Sequence, residues 1–120
     1  MSQDIVNNLV SIITPCYNSE EYISDTIQSV IKQTYKDWEM IIVDDFSSDN
    51  SVQIIKKYME SDNRIILLEV DSNKGAGYAR NEAIKRAKGQ YHSFLDSDDL
   101  WNHDKLSTQI QFMKENNIAF

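Results

Sequence analysis

Seven of the twelve aspartates in this 120-residue chain fall in two short windows, and carboxylates gathered that way can do chemistry. Asp44, Asp45 and Asp49 follow the apolar run at 40–43, and Asp96, Asp98, Asp99 and Asp104 follow the run at 91–95. Like charges this close repel one another unless something positive joins them. A hard divalent cation is the natural partner, because carboxylate oxygens suit Mg2+ or Mn2+. An aspartate after a strand is also a common N-cap or turn former, and that reading is favoured for Asp49 and Asp104. For Asp44 and Asp45 the two readings stand level, since a doubled aspartate exceeds what one cap needs. For Asp96, Asp98 and Asp99 the crowding of three carboxylates in four residues favours an ion.

The elements that must carry these residues alternate along the chain. Leu9-Val10-Ser11-Ile12-Ile13-Thr14 reads as a strand stopped by Pro15. Ile23, Ile27, Val30 and Ile31 then form the apolar stripe of a helix over 18–33, with Asn18 as its N-cap and Glu21 three residues on. A second strand at 40–43 is apolar throughout, as a strand covered on both faces should be. Asp49 caps a helix running to Met59, with Val52, Ile55 and either Tyr58 or Met59 inward. A third strand occupies 65–68. Lys74-Gly75-Ala76-Gly77 opens a helix to about Lys88 whose inner face is Ala79, Ala83, Ile84 and Ala87, with Gly89 as the glycine that ends it. A fourth strand at 91–95 and a helix marked by Leu106, Ile110 and Met113 complete the pattern.

Strand and helix repeated in this way imply crossovers onto one parallel sheet: an α/β fold, open and mostly parallel, with helices on both faces. In such a sheet the carboxyl ends of all strands share one edge, and ligands bind there at the switch in strand order. Two acidic windows far apart in sequence would therefore meet. Residues i and i+2 of an extended segment face the same way, so Asp96 and Asp98 could share one ion. Residues 117–120 read as a further strand just beginning, so the chain reads as stopping mid-fold.

Composition narrows the partners. Twelve Lys and Arg against 19 Asp and Glu give a net charge of −7, which disfavours nucleic acid. Hydrophobic residues at 41% and charged residues at 26% describe a globular domain. A single cysteine, Cys16, excludes a disulfide framework and is expected to be buried. No apolar run approaches the ~18 residues of a membrane span, and the polar N-terminus is no secretory signal. An EF-hand opening at Asp96 fails, because Trp101 stands where glycine is required and Ser107 where glutamate is. Gly75-Ala76-Gly77-Tyr78-Ala79-Arg80 begins like a dinucleotide fingerprint but puts Arg80 at its last glycine, and no Walker A motif exists. His92 and His103 are not spaced as a metal pair.

Four segments, in order, resemble family 2 glycosyltransferases. Val10-Ser11-Ile12-Ile13-Thr14-Pro15-Cys16-Tyr17-Asn18 resembles their opening strand and turn. Ile42-Val43-Asp44-Asp45-Phe46-Ser47-Ser48-Asp49 resembles their second-strand motif, which usually has glycine where Phe46 stands. The segment from Asn73-Lys74-Gly75 to Ala79-Arg80-Asn81 resembles the next motif, and Phe94-Leu95-Asp96-Ser97-Asp98-Asp99 resembles the metal-binding DxD signature.

The resemblance implies the nucleotide-binding half of a GT-A fold, spanning residues 1–120 as one segment, and transfer of a sugar from a UDP- or GDP-linked donor to a saccharide or lipid-linked acceptor. It implies that one of Asp44 and Asp45 contacts the base, that Thr14, Pro15, Tyr17 and Glu20 line the nucleotide pocket, and that Lys74 and Gly75 belong to the donor site. Arg80 would orient the acidic cluster or the diphosphate, although an exposed helix arginine is common in any protein. The resemblance also implies that Asp98 is the foremost metal contact, with Asp96 and Asp99 beside it, and that the ion is Mn2+ or Mg2+. Such an ion stabilises the charge that develops on a departing nucleoside diphosphate. The resemblance further implies an inverting enzyme of bacterial polysaccharide assembly, cytoplasmic or peripheral to the membrane when complete. Its catalytic base and acceptor site are expected beyond Phe120, leaving this segment incomplete for catalysis. A signalling receiver domain and a nucleotidyltransferase are the alternatives. The first expects its acidic pair after the first strand, and the second a glycine-rich loop where Pro15-Cys16-Tyr17-Asn18 stands.

Overall fold

The aliphatic stretches at 10–13, 40–43 and 65–68 need cover on their faces, and with the alternating segment 89–94 they condense into one sheet. The computed structural model describes residues 4–116. Its strands are β1 (Val6–Cys16), β2 (Trp38–Asp44), β3 (Ile65–Glu69) and β4 (Gly89–Phe94), in the order β3-β2-β1-β4 with every pairing parallel. All seven residues of β2 are buried, as a central strand covered on both faces demands.

The helices are α1 (Ile23–Ile31), α2 (Ser51–Met59), α3 (Ala76–Arg86) and α4 (Lys105–Asn116). Ile23, Ile27 and Val30 of α1, Ile55 of α2, and Leu106, Ile110 and Met113 of α4 pack with Val10, Ile12, Met40 and Ile42 on one face of the sheet. The other face belongs to α3, whose Ala79 and Ala83, with Ala87 just beyond, lie on Ile13, Ile41 and Val43. Small side chains let this helix sit close to the sheet. The chain lays down β1, β2 and β3 in one direction, then returns past β1 to place β4 on its far side. That reversal makes the carboxyl ends of β1 and β4 the switch point where such sheets open a crevice.

Several local expectations are corrected. Pro15 does not stop β1, which continues to Cys16 in register with Asp44. Its missing N–H falls on the β4 side, past the last β1–β4 pair Ile13 and Phe94, where no ladder bond is required. Asn18 is not the cap of α1, which starts at Ile23 after a turn closed by the Ser19 carbonyl. Asn18 instead takes a left-handed φ of 47° and accepts the Ser48 N–H on its side-chain oxygen. Gly89 does not terminate α3; Ala87 leaves the helix in an extended conformation and Gly89 begins β4. Ile84 faces outward, and in α2 it is Tyr58 that packs on the core while Met59 is exposed. The N-cap position of α2 is Asn50, whose side chain makes no capping bond, and Asp49, one residue before it, accepts both the N–H and the hydroxyl of Ser51. The strand expected at 117–120 lies outside the described residues.

Candidate functional site

At the switch point the loops after β1 and β4 enclose a cleft of about 410 Å³. Pro15, Cys16 and Tyr17 form one wall with Asn18, Ser19 and Tyr22, and Asp96, Ser97 and Asp98 form the opposite one. Asp45, Ala76 and Arg80 close the third side. A larger hollow of about 630 Å³ beside α4 has only Asp104 and Lys105 as charged lining, so the convergent polar chemistry lies in the smaller cleft.

The acidic wall is a turn, and the turn brings its carboxylates together. The Asp99 N–H donates to the Asp96 carbonyl at 3.1 Å, so residues 96–99 fold back instead of running extended. The expected same-face arrangement of an extended strand does not apply. Carboxylate oxygens of Asp96, Asp98 and Asp99 lie within 4.8 Å of one another, all three side chains exposed. Ser97 points the other way, buried, and shares a 2.6 Å hydrogen bond with the Ser19 hydroxyl. The Arg80 guanidinium of α3 stands 3.7 Å from Asp96, the one cation paired with this cluster among the described residues. Both partners are substantially exposed, so their attraction contributes little to folding.

The doubled aspartate after β2 divides its work. Asp44 is buried and closes its own loop, accepting the Ser47 N–H at 2.9 Å and the Ser47 hydroxyl at 2.5 Å. Asp45 lines the cleft and accepts the N–H groups of Lys74 at 2.8 Å and Gly75 at 3.0 Å. Gly75 has φ 90°, a conformation that side chains disfavour, and α3 begins immediately after it.

Of the expected site residues, Pro15, Tyr17, Asp45, Arg80, Asp96 and Asp98 line this cleft. Thr14 is fully buried in β1, and its hydroxyl has no hydrogen-bond partner among the described residues. Glu20 is exposed and accepts the Asn50 N–H at 3.1 Å, tying the β1 loop to α2. The Lys74 ammonium lies 3.8 Å from Asp71 and 4.8 Å above the Tyr78 ring, so only its backbone serves the Asp45 contact. Asp99 sits with its two neighbours on the turn, while Asp104 precedes α4 apart from them. Ser19, Tyr22, Ala76 and Ser97 line the cleft without having been singled out, and Cys16, expected only to be buried, lines it too. For Ser97 the signal was available, as the residue between two aspartates of a turn. For Tyr22 and Ala76 sequence offered none.

Electrostatics follows burial. Burial, and then the Asp44 charge, push the Cys16 thiol up to about 12, so this wall of the cleft is a neutral S–H. Burial alone would raise Asp49, yet hydrogen bonds from the Ser51 hydroxyl and N–H and from the Glu20 N–H hold it below the usual carboxylate value.

Residues 11–120 match the model of the Glycosyl transferase family 2. The chain is 52% identical over 112 residues to the UDP-Glc:alpha-D-GlcNAc-diphosphoundecaprenol beta-1,3-glucosyltransferase WfgD of Escherichia coli. That match takes in 93% of this chain but 44% of WfgD, so the chain spans less than half the length of this relative. S. aureus TarS in complex with UDP superposes with a TM-score of 0.85 at 37% identity, over 90% of this chain and 32% of TarS. The mannosyltransferase PcManGT from Pyrobaculum calidifontis, in complex with GDP-Man and Mn2+, gives 0.82 at 26% identity over 87% of this chain and 32% of that one. The parallel four-stranded sheet with helices on both faces is, by this superposition, a GT-A fold of which the chain forms part. Neither a receiver domain nor a nucleotidyltransferase accounts for a match of this extent, and the chain belongs to glycosyltransferase family 2.

Proposed function

We propose that this chain is the donor-binding segment of a glycosyltransferase that passes a sugar from a nucleotide-diphospho-sugar to an acceptor hydroxyl. The observation that carries the reading is the convergence of the 96–99 turn, Arg80 and the β1 loop on one cleft at the switch point. UDP is the favoured nucleotide, since TarS is bound to UDP and WfgD takes UDP-Glc by name. A lipid-linked saccharide is the favoured acceptor by analogy with WfgD, and bacterial surface polysaccharide the favoured setting. The base that deprotonates the acceptor is assigned to the part of such relatives that this chain does not span. Inversion at the anomeric carbon belongs to the same proposal.

Asp98, with Asp96 and Asp99, would hold Mn2+ or Mg2+, and the all-oxygen donor set of three clustered carboxylates fits a hard cation. When bound, that ion would supply positive charge to the departing diphosphate. Arg80, ion-paired at the rim, adds a fixed cation for the same phosphates. Tyr17, half exposed on the wall, offers an aromatic face to the base or ribose, and Asp45 offers its free lone pairs to base N–H groups. Among the described residues no helix is long and apolar enough to cross a membrane, and a cytoplasmic or membrane-peripheral site of action is part of the proposal.

Calorimetric titration with UDP and with GDP, each with and without Mn2+, tests this. UDP is expected to bind in the presence of Mn2+, with Asp98→Ala weakening it about 10-fold or more, since even residues that only orient a metal ligand are worth that much. UDP binding indifferent to both Mn2+ and Asp98→Ala rejects the metal assignment, and no nucleotide binding at all rejects the donor-site reading.

A further inference from the structure

The acidic turn is gripped from behind by α1. Thr26 and Gln33 are fully buried and polar, and with Ser29 they recur at i, i+3 and i+7, one face of the helix and its first residues beyond. All three bond to the segment that carries or follows the turn. The Thr26 hydroxyl lies 3.0 Å from the Ser97 carbonyl and 2.8 Å from the Asp99 carbonyl. Ser29 Oγ accepts the Trp101 N–H at 3.3 Å, and Gln33 donates to the Asn102 carbonyl at 2.6 Å while accepting the Leu106 N–H at 3.0 Å.

A threonine inside a helix ordinarily turns its hydroxyl to a carbonyl of its own preceding turn. Here the Tyr22 carbonyl takes the Thr26 backbone N–H, and the hydroxyl crosses to another segment. Its two acceptors flank Asp98. The single hydroxyl hydrogen is shared between the two carbonyls in a three-centre bond, which restrains the distance across the turn and with it the direction in which the Asp98 carboxylate leaves the backbone.

We infer that Thr26 is the positioning residue of the acidic turn: its hydroxyl sets the spacing of the Asp96, Asp98 and Asp99 carboxylates and so their affinity for a divalent cation. The cation rests on the function proposed above; the grip on the turn does not. Amide hydrogen exchange and Mn2+ binding, read from the resonance signal of free Mn2+ with UDP present, separate the two. Thr26→Val removes the hydroxyl and keeps the shape. It is expected to speed exchange at the Asp99 and Trp101 amides, leave β1 and β2 amides as they were, and weaken Mn2+ binding about 10-fold or more, as loss of ligand orientation does. Thr26→Ser, which keeps the hydroxyl, is expected to restore both. Unchanged exchange in Thr26→Val, a loosened turn with Mn2+ affinity intact, or Thr26→Ser behaving as Thr26→Val overturns the inference. Should Thr26→Val not fold, Thr26→Ala against Thr26→Ser carries the same comparison, since both lack the methyl. If the unmodified chain binds no Mn2+, the metal assignment fails, and exchange alone decides whether Thr26 holds the turn.

Discussion

The Asp45 carboxylate meets the Gly75 amide at 3.0 Å across 30 residues of sequence, and in doing so caps a helix that is not its own. Its other oxygen takes the Lys74 N–H, and no side chain within α3 caps that helix. A carboxylate at a helix N-terminus answers both the unpaired N–H groups and the positive end of the macrodipole. The contact therefore ties the end of β2 to the start of α3, which carries Arg80 into the cleft.

Asp45→Asn tests that link. Asparagine presents one acceptor and one N–H2 group, so one of the two amides would face a donor. Stability is expected to fall by about 0.5–1.5 kcal/mol, the net worth of one hydrogen bond, because both amides sit on exposed residues that water can reach. Chemical denaturation measures it, and a midpoint equal to that of the unmodified chain would show that the carboxylate does not cap α3.

How much of this was legible beforehand differs by residue. The four strands, the alanine face of α3 and the acidic cluster followed from periodicity and from the count of aspartates, because burial imposes those patterns locally. Asn18 and Gly89 were misread, because each has a local role it could have played and a tertiary role that won. Asn18 makes a good cap in isolation, yet its side chain is taken by the Ser48 N–H across the cleft loops. The partition between Asp44 and Asp45 was also invisible, since it depends on a loop 30 residues away. The polar stripe of α1 carried no signal of its own, as Thr26, Ser29 and Gln33 read as ordinary polar positions until the 97–106 segment is packed against them.

Gly89→Ala is expected to be strongly destabilising. A Cβ there would stand 2.6 Å from the Leu9 carbonyl oxygen and from Ser11 Oγ, and 2.8 Å from the Ser11 nitrogen. Two of these are backbone atoms of the central strand and cannot swing aside. The Ser11 hydroxyl also accepts the Gly89 N–H and donates to buried Glu39 at 2.6 Å, so displacing it disturbs a buried carboxylate. A loss of about 1–3 kcal/mol, the range for overpacking, is expected in thermal or urea unfolding. A neutral result would mean that β4 can slide away from β1 at no cost.

Phe46 occupies a left-handed conformation, φ 61°, immediately after the paired aspartates, with its ring more than half exposed. That backbone region costs a side-chain-bearing residue about 1–2 kcal/mol, and it explains why glycine suits this position in the family motif. Phe46→Gly relieves the strain and loses little packing, so it is expected to hold or raise the melting temperature. Phe46→Val, branched at the carbon that clashes, is expected to be the less stable of the two by about 1 kcal/mol or more. Equal stability of the two variants would show that the loop relaxes out of this conformation.

Alkaline pH should act through Cys16. Its thiol moves from an ordinary 9.0 to about 12 in the folded chain, chiefly because it is buried and next because Asp44 is near. Below about 9 the thiol is protonated folded or unfolded, and the group has no effect on stability. Between about 9 and 12 the unfolded chain releases this proton and the folded chain keeps it, so rising pH favours unfolding. The slope approaches about 1.4 kcal/mol per pH unit for one proton. Cys16→Ser removes the titration and places a hydroxyl among Ser19, Ser51 and Asp44, groups able to accept it. The difference in unfolding free energy between the two chains is therefore expected to stay constant up to about pH 8.5 and then shift in favour of Cys16→Ser. Tyrosine and lysine titrations are common to both chains and cancel in that difference. Parallel profiles up to pH 11 would mean that the folded chain admits a thiolate at the cleft wall.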